Sequence, residues 1–135
     1  MKRLLLLFIL ASYAAFGQNI TPTELTCEYM PNPSVVDVLQ PRLAWINVSS
    51  ATKRGQRQTA YEVRVASSEK GLSNADLWSS GKVSSEQNDR VAYAGKPLTS
   101  RLEVWWQVRV WDEKGKESAW SKPAQWRMGL MARAY

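Results

Sequence analysis

The side chains that carry most protein chemistry are sparse in this chain of 135 residues, which has no histidine and a single cysteine. Without histidine there is no usual base to activate a serine or cysteine nucleophile, and no His-containing metal site. Cys27 cannot form an internal disulfide and has no imidazole to lower its pKa, so it reads as a small buried apolar side chain and not a reactive thiol. No glycine-rich phosphate loop occurs, and neither a metal nor a cofactor is implied. What remains is a pair of carboxylates of the kind that cleaves glycosidic bonds, with Asp37, Glu62, Glu103, Asp112 and Glu113 as candidates. Glu62 and Glu103 alternate outward on strand-like runs, while Asp112 and Glu113 sit in a tight turn. No scaffold brings two of them face to face in a dry cleft, so an independent active site is not expected.

Seven tryptophans are the second chemical feature. Exposed indoles make platforms for sugar rings, whereas buried ones are core. Trp45, Tyr61 and Trp106 fall on apolar faces and are the expected core anchors. Trp105 and Trp111 flank Arg109 on a polar face, and Trp120 on the following run can reach the same surface. That set suggests guanidinium stacked on indole. A sugar platform or a contact for a partner domain is the alternative.

The elements that must hold these residues read as all-β, since short apolar runs alternate with Pro, Gly, Asn, Ser and Asp and no sustained helical period appears. Expected strands are Glu24 to Tyr29, Arg42 to Ser49, Thr59 to Ser67, a looser edge run from Leu77 to Val83 broken at Gly81, Arg90 to Tyr93, Arg101 to Trp111, and Ser118 to Met128. Arg101 to Trp111 is the clearest. Leu102, Val104, Trp106, Val108 and Val110 form one face, and Glu103, Trp105, Gln107, Arg109 and Trp111 the other. It should make a hairpin with the run from Ser118 through the turn at 112–116. About seven strands predict an antiparallel β-sandwich of the fibronectin type III or immunoglobulin-like kind, without internal repeats.

Before this domain, Lys2 and Arg3 precede the apolar run Leu4 to Leu10, and Ala15-Phe16-Gly17 follows, the pattern of a secretory signal peptide. The run is too short to span a bilayer, so no membrane span is expected. Cleavage after Gly17 would leave Gln18 first, and Cys27 lies too far on for lipid attachment, so the product reads as secreted or periplasmic and not a lipoprotein. The resulting division is 1–17 as signal, 18–130 as sandwich and 131–135 as a short tail. Loss of Lys2 and Arg3 lowers the net charge from +6 to +4. With cations spread out apart from Lys53-Arg54-Gly55-Gln56-Arg57, which reads as a solvated turn, no nucleic-acid partner is expected.

Asn32-Pro33-Ser34-Val35-Val36-Asp37 followed by Pro41-Arg42-Leu43-Ala44-Trp45 resembles the opening of bacterial α-L-rhamnosidases, particularly those of Bacteroidetes. Arg54 to Ser68, Asp76 to Val83, Trp106 to Asp112 and Met128-Gly129-Leu130 are similar to the same family in order. The resemblance implies an accessory β-sandwich, followed in that family by further β-domains and an α/α barrel whose acidic residues remove terminal L-rhamnose. None of those positions occurs in this chain, so no catalytic residue carries over. The family pattern runs on past Leu130, which makes the tail an apparent truncation. The implied partners are the other domains of a rhamnosidase and, through an exposed surface, a rhamnose-containing polysaccharide. A free-standing carbohydrate-binding or adhesion module is the alternative. Because the resemblance points to a bacterium, Asn19-Ile20-Thr21 and Asn47-Val48-Ser49 read as chance sequons.

Overall fold

A computed structural model describes residues 20–49 and 55–131. The expected signal at 1–17, Lys53 and Arg54 of the basic turn, and residues 132–135 lie outside the described residues. Seven strands occur among the described residues: β1 (Ile20–Cys27), β2 (Arg42–Ser49), β3 (Ala60–Ala66), β4 (Trp78–Ser79), β5 (Val91–Ala92), β6 (Glu103–Trp111) and β7 (Ala124–Arg127). They form two antiparallel sheets, β1-β2-β5 and β4-β3-β6-β7. The architecture is the expected all-β sandwich, and no described helix is long and apolar enough to cross a membrane.

Alternation generates this arrangement. On β2, Leu43 and Trp45 point inward; on β3, Tyr61, Val63 and Val65; on β6, Val104, Trp106, Val108 and Val110. All are buried and meet in one core with Val91, Tyr93, Trp126 and Met128. Trp45 packs edge-on against Tyr61 with ring centroids 5.4 Å apart, and Tyr93 contacts both Trp78 and Trp126 at 5.5 and 6.2 Å. Trp126, placed by sequence only on the last run, is as deeply buried as the expected anchors. Gln58 is the buried polar side chain that joins these elements. Gln58 Oε1 accepts from Trp45 Nε1 and Asn47 Nδ2, while Gln58 Nε2 donates to the carbonyls of Ser85 and Gln87. That one side chain ties β2 to the start of β3 and to the loop before β5.

Two expected elements differ. The first strand begins at Ile20 and ends at Cys27, not at Glu24 and Tyr29. Its pairing with β2 shifts between Thr23 and Thr26, where Glu24 adopts φ +49°, and this bulge breaks the two-residue period that would have revealed it. The last strand covers only Ala124 to Arg127, so the hairpin is irregular over 118–123. There, serines replace the ladder. Ser118 and Ser121 amides donate to the carbonyls of Val110 and Val108, while the amides of Val110 and Val108 donate to the Oγ atoms of the same two serines, at 3.0 and 3.1 Å. Ser80 does the same to Val63 on the other edge, with its amide on Val63 O and its Oγ accepting from Val63 N. Each hydroxyl stands in for a strand carbonyl and donates onward to the backbone of the next residue.

Tyr93 Oη donates to Lys96 O at 2.6 Å and lies 3.3 Å from Leu77 O. Gly95 makes this closeness possible, because a Cβ there would stand 2.3 Å from Leu77 O. Burial pushes the Tyr93 phenol up to about 12 and the Cys27 thiol up to about 12, and it raises Tyr61 as well. A pKa raised by folding gives stability that is complete below the unfolded value and is lost as pH climbs to the folded one. Unfolded Cys and Tyr titrate near about 8.5 and 10. The melting temperature should therefore hold to about pH 8.5 and decline up to about pH 12. Tyr93→Phe should melt lower at pH 7, losing on the order of 1 kcal/mol with its hydrogen bond, yet decline less steeply above pH 10. Thermal melts of both proteins from pH 7 to 12 check this, and parallel declines would contradict it.

Candidate functional site

The outer face of the four-stranded sheet holds the surface residues singled out by sequence. β3 pairs over its whole length with β6, from Trp105 to Trp111, with Glu62 opposite Arg109 and Arg64 opposite Gln107. Arg109 donates from Nε to Glu62 Oε1 at 2.9 Å and from Nη1 to Glu117 Oε2 at 2.6 Å. Its guanidinium carbon lies 5.3 Å from the Trp111 ring centroid and 4.6 Å from that of Trp120. Arg64 lies 4.0 Å from the Trp120 centroid and directs Nε and Nη2 to Gln107 Oε1, and Lys82 Nζ stands 4.8 Å from the Trp111 centroid. Burial, and after it the Arg109 charge, lowers the Arg64 pKa from its ordinary value. The result is one ladder across the sheet, Lys82, Trp111, Arg109, Trp120 and Arg64, with cations and indoles alternating.

Trp105 does not belong to it. It stands four residues from Arg109, roughly 13 Å along a strand, with Gln107 between them, so the expected indole on that side of Arg109 is absent. It lies half-buried beside Ala66 and Gln125, and no described cation faces its ring. Arg64 and Lys82 were missed by sequence because they join through pairings across β3 and its edge. The face is also drier than a polar strand face, with Gln107 and Trp111 buried, because the segment bearing Trp120 lies over it. Gln107 Nε2 donates to Ser121 O at 2.8 Å and so fastens that segment from below.

Of the carboxylates singled out by sequence, Glu62, Glu103, Asp112 and Glu113 are engaged. Glu62 and Glu117 hold Arg109; Glu103 pairs with Arg127; Glu28 pairs with Arg42. The Arg42 hydrogen bond lowers the Glu28 pKa. Asp76 accepts from the Ser67 hydroxyl and amide, which lowers its pKa too. Asp112 is buried in the turn and accepts from the Lys114 and Lys116 amides. Among the described residues no group of three His, Cys, Asp or Glu side chains could hold a metal. Trp120 also lines a groove of 410 Å³ with Pro22, Leu25, Pro31, Lys122 and Pro123.

Such geometry stores stability. Each cation–π contact contributes on the order of 0.5 to 1 kcal/mol when partly exposed, and Arg109→Ala also strips Glu62 of its partner. Arg109→Ala should lower stability by about 2 kcal/mol, and Arg109→Lys should recover only part. Double-mutant cycles read from denaturant melts should give a coupling of about 0.5 to 1 kcal/mol for Arg109 with Trp120 and for Arg64 with Trp120. Arg109 with Trp105 should show none, and a coupling there equal to that with Trp120 would contradict the ladder.

Comparison with known proteins assigns this sandwich to a family. The family model described as Rha78A-like, N-terminal immunoglobulin domain matches residues 22–132. The chain is 50% identical over 109 residues to an α-L-rhamnosidase of Streptomyces avermitilis, covering 81% of this chain and 10% of that protein. It is 39% identical over 116 residues to an α-L-rhamnosidase of an Alteromonas species, covering 84% and 12%. The crystal structure of the Streptomyces avermitilis α-L-rhamnosidase complexed with L-rhamnose superposes with a TM-score of 0.78 at 48% identity, over 82% of this chain and 11% of that one. The α-L-rhamnosidase from Dictyoglumus thermophilum gives 0.77 at 36%, over 82% and 12%. The chain thus spans about a tenth of the length of the relatives it matches. With an antiparallel sandwich, a family match over nearly all of the described residues and a common fold in solved relatives, the chain belongs to the Rha78A-like N-terminal immunoglobulin domains.

Proposed function

We propose that this chain is the non-catalytic accessory sandwich of a secreted or periplasmic α-L-rhamnosidase, a glycoside hydrolase that removes terminal L-rhamnose, and that it supports the catalytic part. The observation that carries the reading is the coincidence of a complete sandwich core with a match to only 10 to 12% of each rhamnosidase relative. Engagement of Glu62, Glu103 and Glu117 in ion pairs supports it as well, because a glycosidase needs two carboxyl groups facing a bond and able to exchange a proton or attack. Glu62 and Glu117 instead share a fixed guanidinium. The rival reading, a carbohydrate-binding module, needs an open indole face, and the rings of Trp111 and Trp120 carry the cations of the ladder. Export rests on the Lys2, Arg3 and Leu4 to Leu10 pattern.

Purified chain incubated with an aryl α-L-rhamnoside should release no more aglycone than buffer, and on affinity electrophoresis it should migrate through a rhamnose-rich polysaccharide gel without retardation. Turnover that persists through repurification would overturn the non-catalytic reading. Retardation lost in Trp120→Ala would favour the rival module.

A further inference from the structure

Where the chain leaves the sandwich, a recess of 530 Å³ opens between the loop at 34–35 and the segment 127–130. Val35 and Leu130 frame it and are 71% and 69% exposed, the two most exposed large apolar side chains among the described residues. The backbone around them is fixed. Val36 N donates to Arg127 O, Gly129 N to Val36 O, Arg101 N to Gly129 O and Met131 N to Ser100 Oγ. A Cβ at Gly129 would stand 2.9 Å from Val35 Cγ1, so glycine lets the two segments close on each other. On the rim, Arg127 is paired with Glu103, while no described carboxylate forms an ion pair with Arg101, which holds φ +64°. An exposed apolar floor held by these hydrogen bonds, beside a cation that no described carboxylate pairs, has the composition of half an interface.

We propose that this recess seats the next domain of the same polypeptide, which inserts an apolar side chain between Val35 and Leu130 and sets a carboxylate or carbonyl oxygen against Arg101. The inference rests on the accessory-domain reading and adds the surface through which support is delivered. The occupant follows from two facts. The family is N-terminal and its matched relatives carry most of their length beyond this domain. The recess lies beside Leu130 and Met131, so a following domain meets it before any other surface, at the high effective concentration of a short tether. Ile46 and Val48, on the outer face of β2, form another exposed apolar pair and serve as the comparison.

The test is a full-length chimera in which residues 22–131 replace the matching segment of the Streptomyces avermitilis α-L-rhamnosidase. It is compared with its V35D/L130D, Arg101→Glu and I46D/V48D variants and with that enzyme lacking the segment. Junction cleavage by a nonspecific protease and thermal inactivation of rhamnosidase activity are followed. V35D/L130D should raise the cleavage rate at least tenfold and bring inactivation to the level of the enzyme lacking the segment. Arg101→Glu should move both in the same direction, and I46D/V48D should leave both unchanged. All three variants in the isolated chain should melt like the parent, which separates lost docking from lost folding. A labile segment-less enzyme with a V35D/L130D chimera as robust as the parent would overturn the recess and leave the support reading standing. A segment-less enzyme as robust as the parent would overturn both.

Discussion

The arrangement on which the rest depends is the covering of β6 on both faces and both edges. One edge is paired with β3 from Trp105 to Trp111, and the inner face is packed into the core through Val104, Trp106, Val108 and Val110. The other edge is regular only from Glu103 to Trp106, against β7. Beyond that point a strand of ordinary pitch would carry Trp120 along the sheet. Ser118 and Ser121 change this: by supplying hydroxyl oxygens to the amides of Val110 and Val108, they satisfy two buried donors without extended pairing. The chain between them is then free to bring the Trp120 ring within reach of Arg64 and Arg109.

The outer face follows from that freedom. Arg64 and Arg109 stand diagonally across the β3–β6 pair, held apart by Glu62 and Gln107, and Trp120 meets both. Two guanidinium groups this close, with the Arg109 charge disfavouring that of Arg64, remain stable because an indole, two carboxylates and a side-chain amide lie around them. Ser80 repeats the serine device on the far edge at Val63, where Gly81 turns the chain and Lys82 reaches Trp111. Both edges of the central pair are therefore closed by short polar segments. Open strands with a row of free amides would invite pairing with another chain. In a supporting domain, whose useful surfaces are the ones its neighbours occupy, such closure directs association to the apolar recess at the exit.

Much of this was legible in the sequence, for reasons specific to each element. β2, β3 and the run containing β6 carry unbroken alternation with large apolar side chains on one face, so Trp45, Tyr61 and Trp106 could be assigned to the core from spacing alone. β1 could not be bounded, because Pro22 and three threonines lower its apolar contrast and the bulge at Glu24 changes its phase. Trp105 was placed beside Arg109 because the two share a face of the strand, although four residues of extended chain keep them apart. Arg64 was invisible as a partner because its closeness to Trp120 depends on a register between segments more than forty residues apart, which no local pattern records. The serines read as loop residues for a sound physical reason: they do end regular pairing, and only the structure shows that their hydroxyls continue its hydrogen bonding.

A closed outer face, built by the chain's own side chains and left without an open platform, is the central claim, and native-state hydrogen exchange tests it most directly. The amides of Val108 and Val110, bonded only to serine hydroxyls, should exchange as slowly as the β6 amides bonded to strand carbonyls, with the free energy of global unfolding. Ser121→Ala should release Val108 selectively. Fast exchange at Val108 and Val110 in the unaltered protein, with the core still protected, would show that the segment bearing Trp120 lifts from the sheet, and would contradict the account.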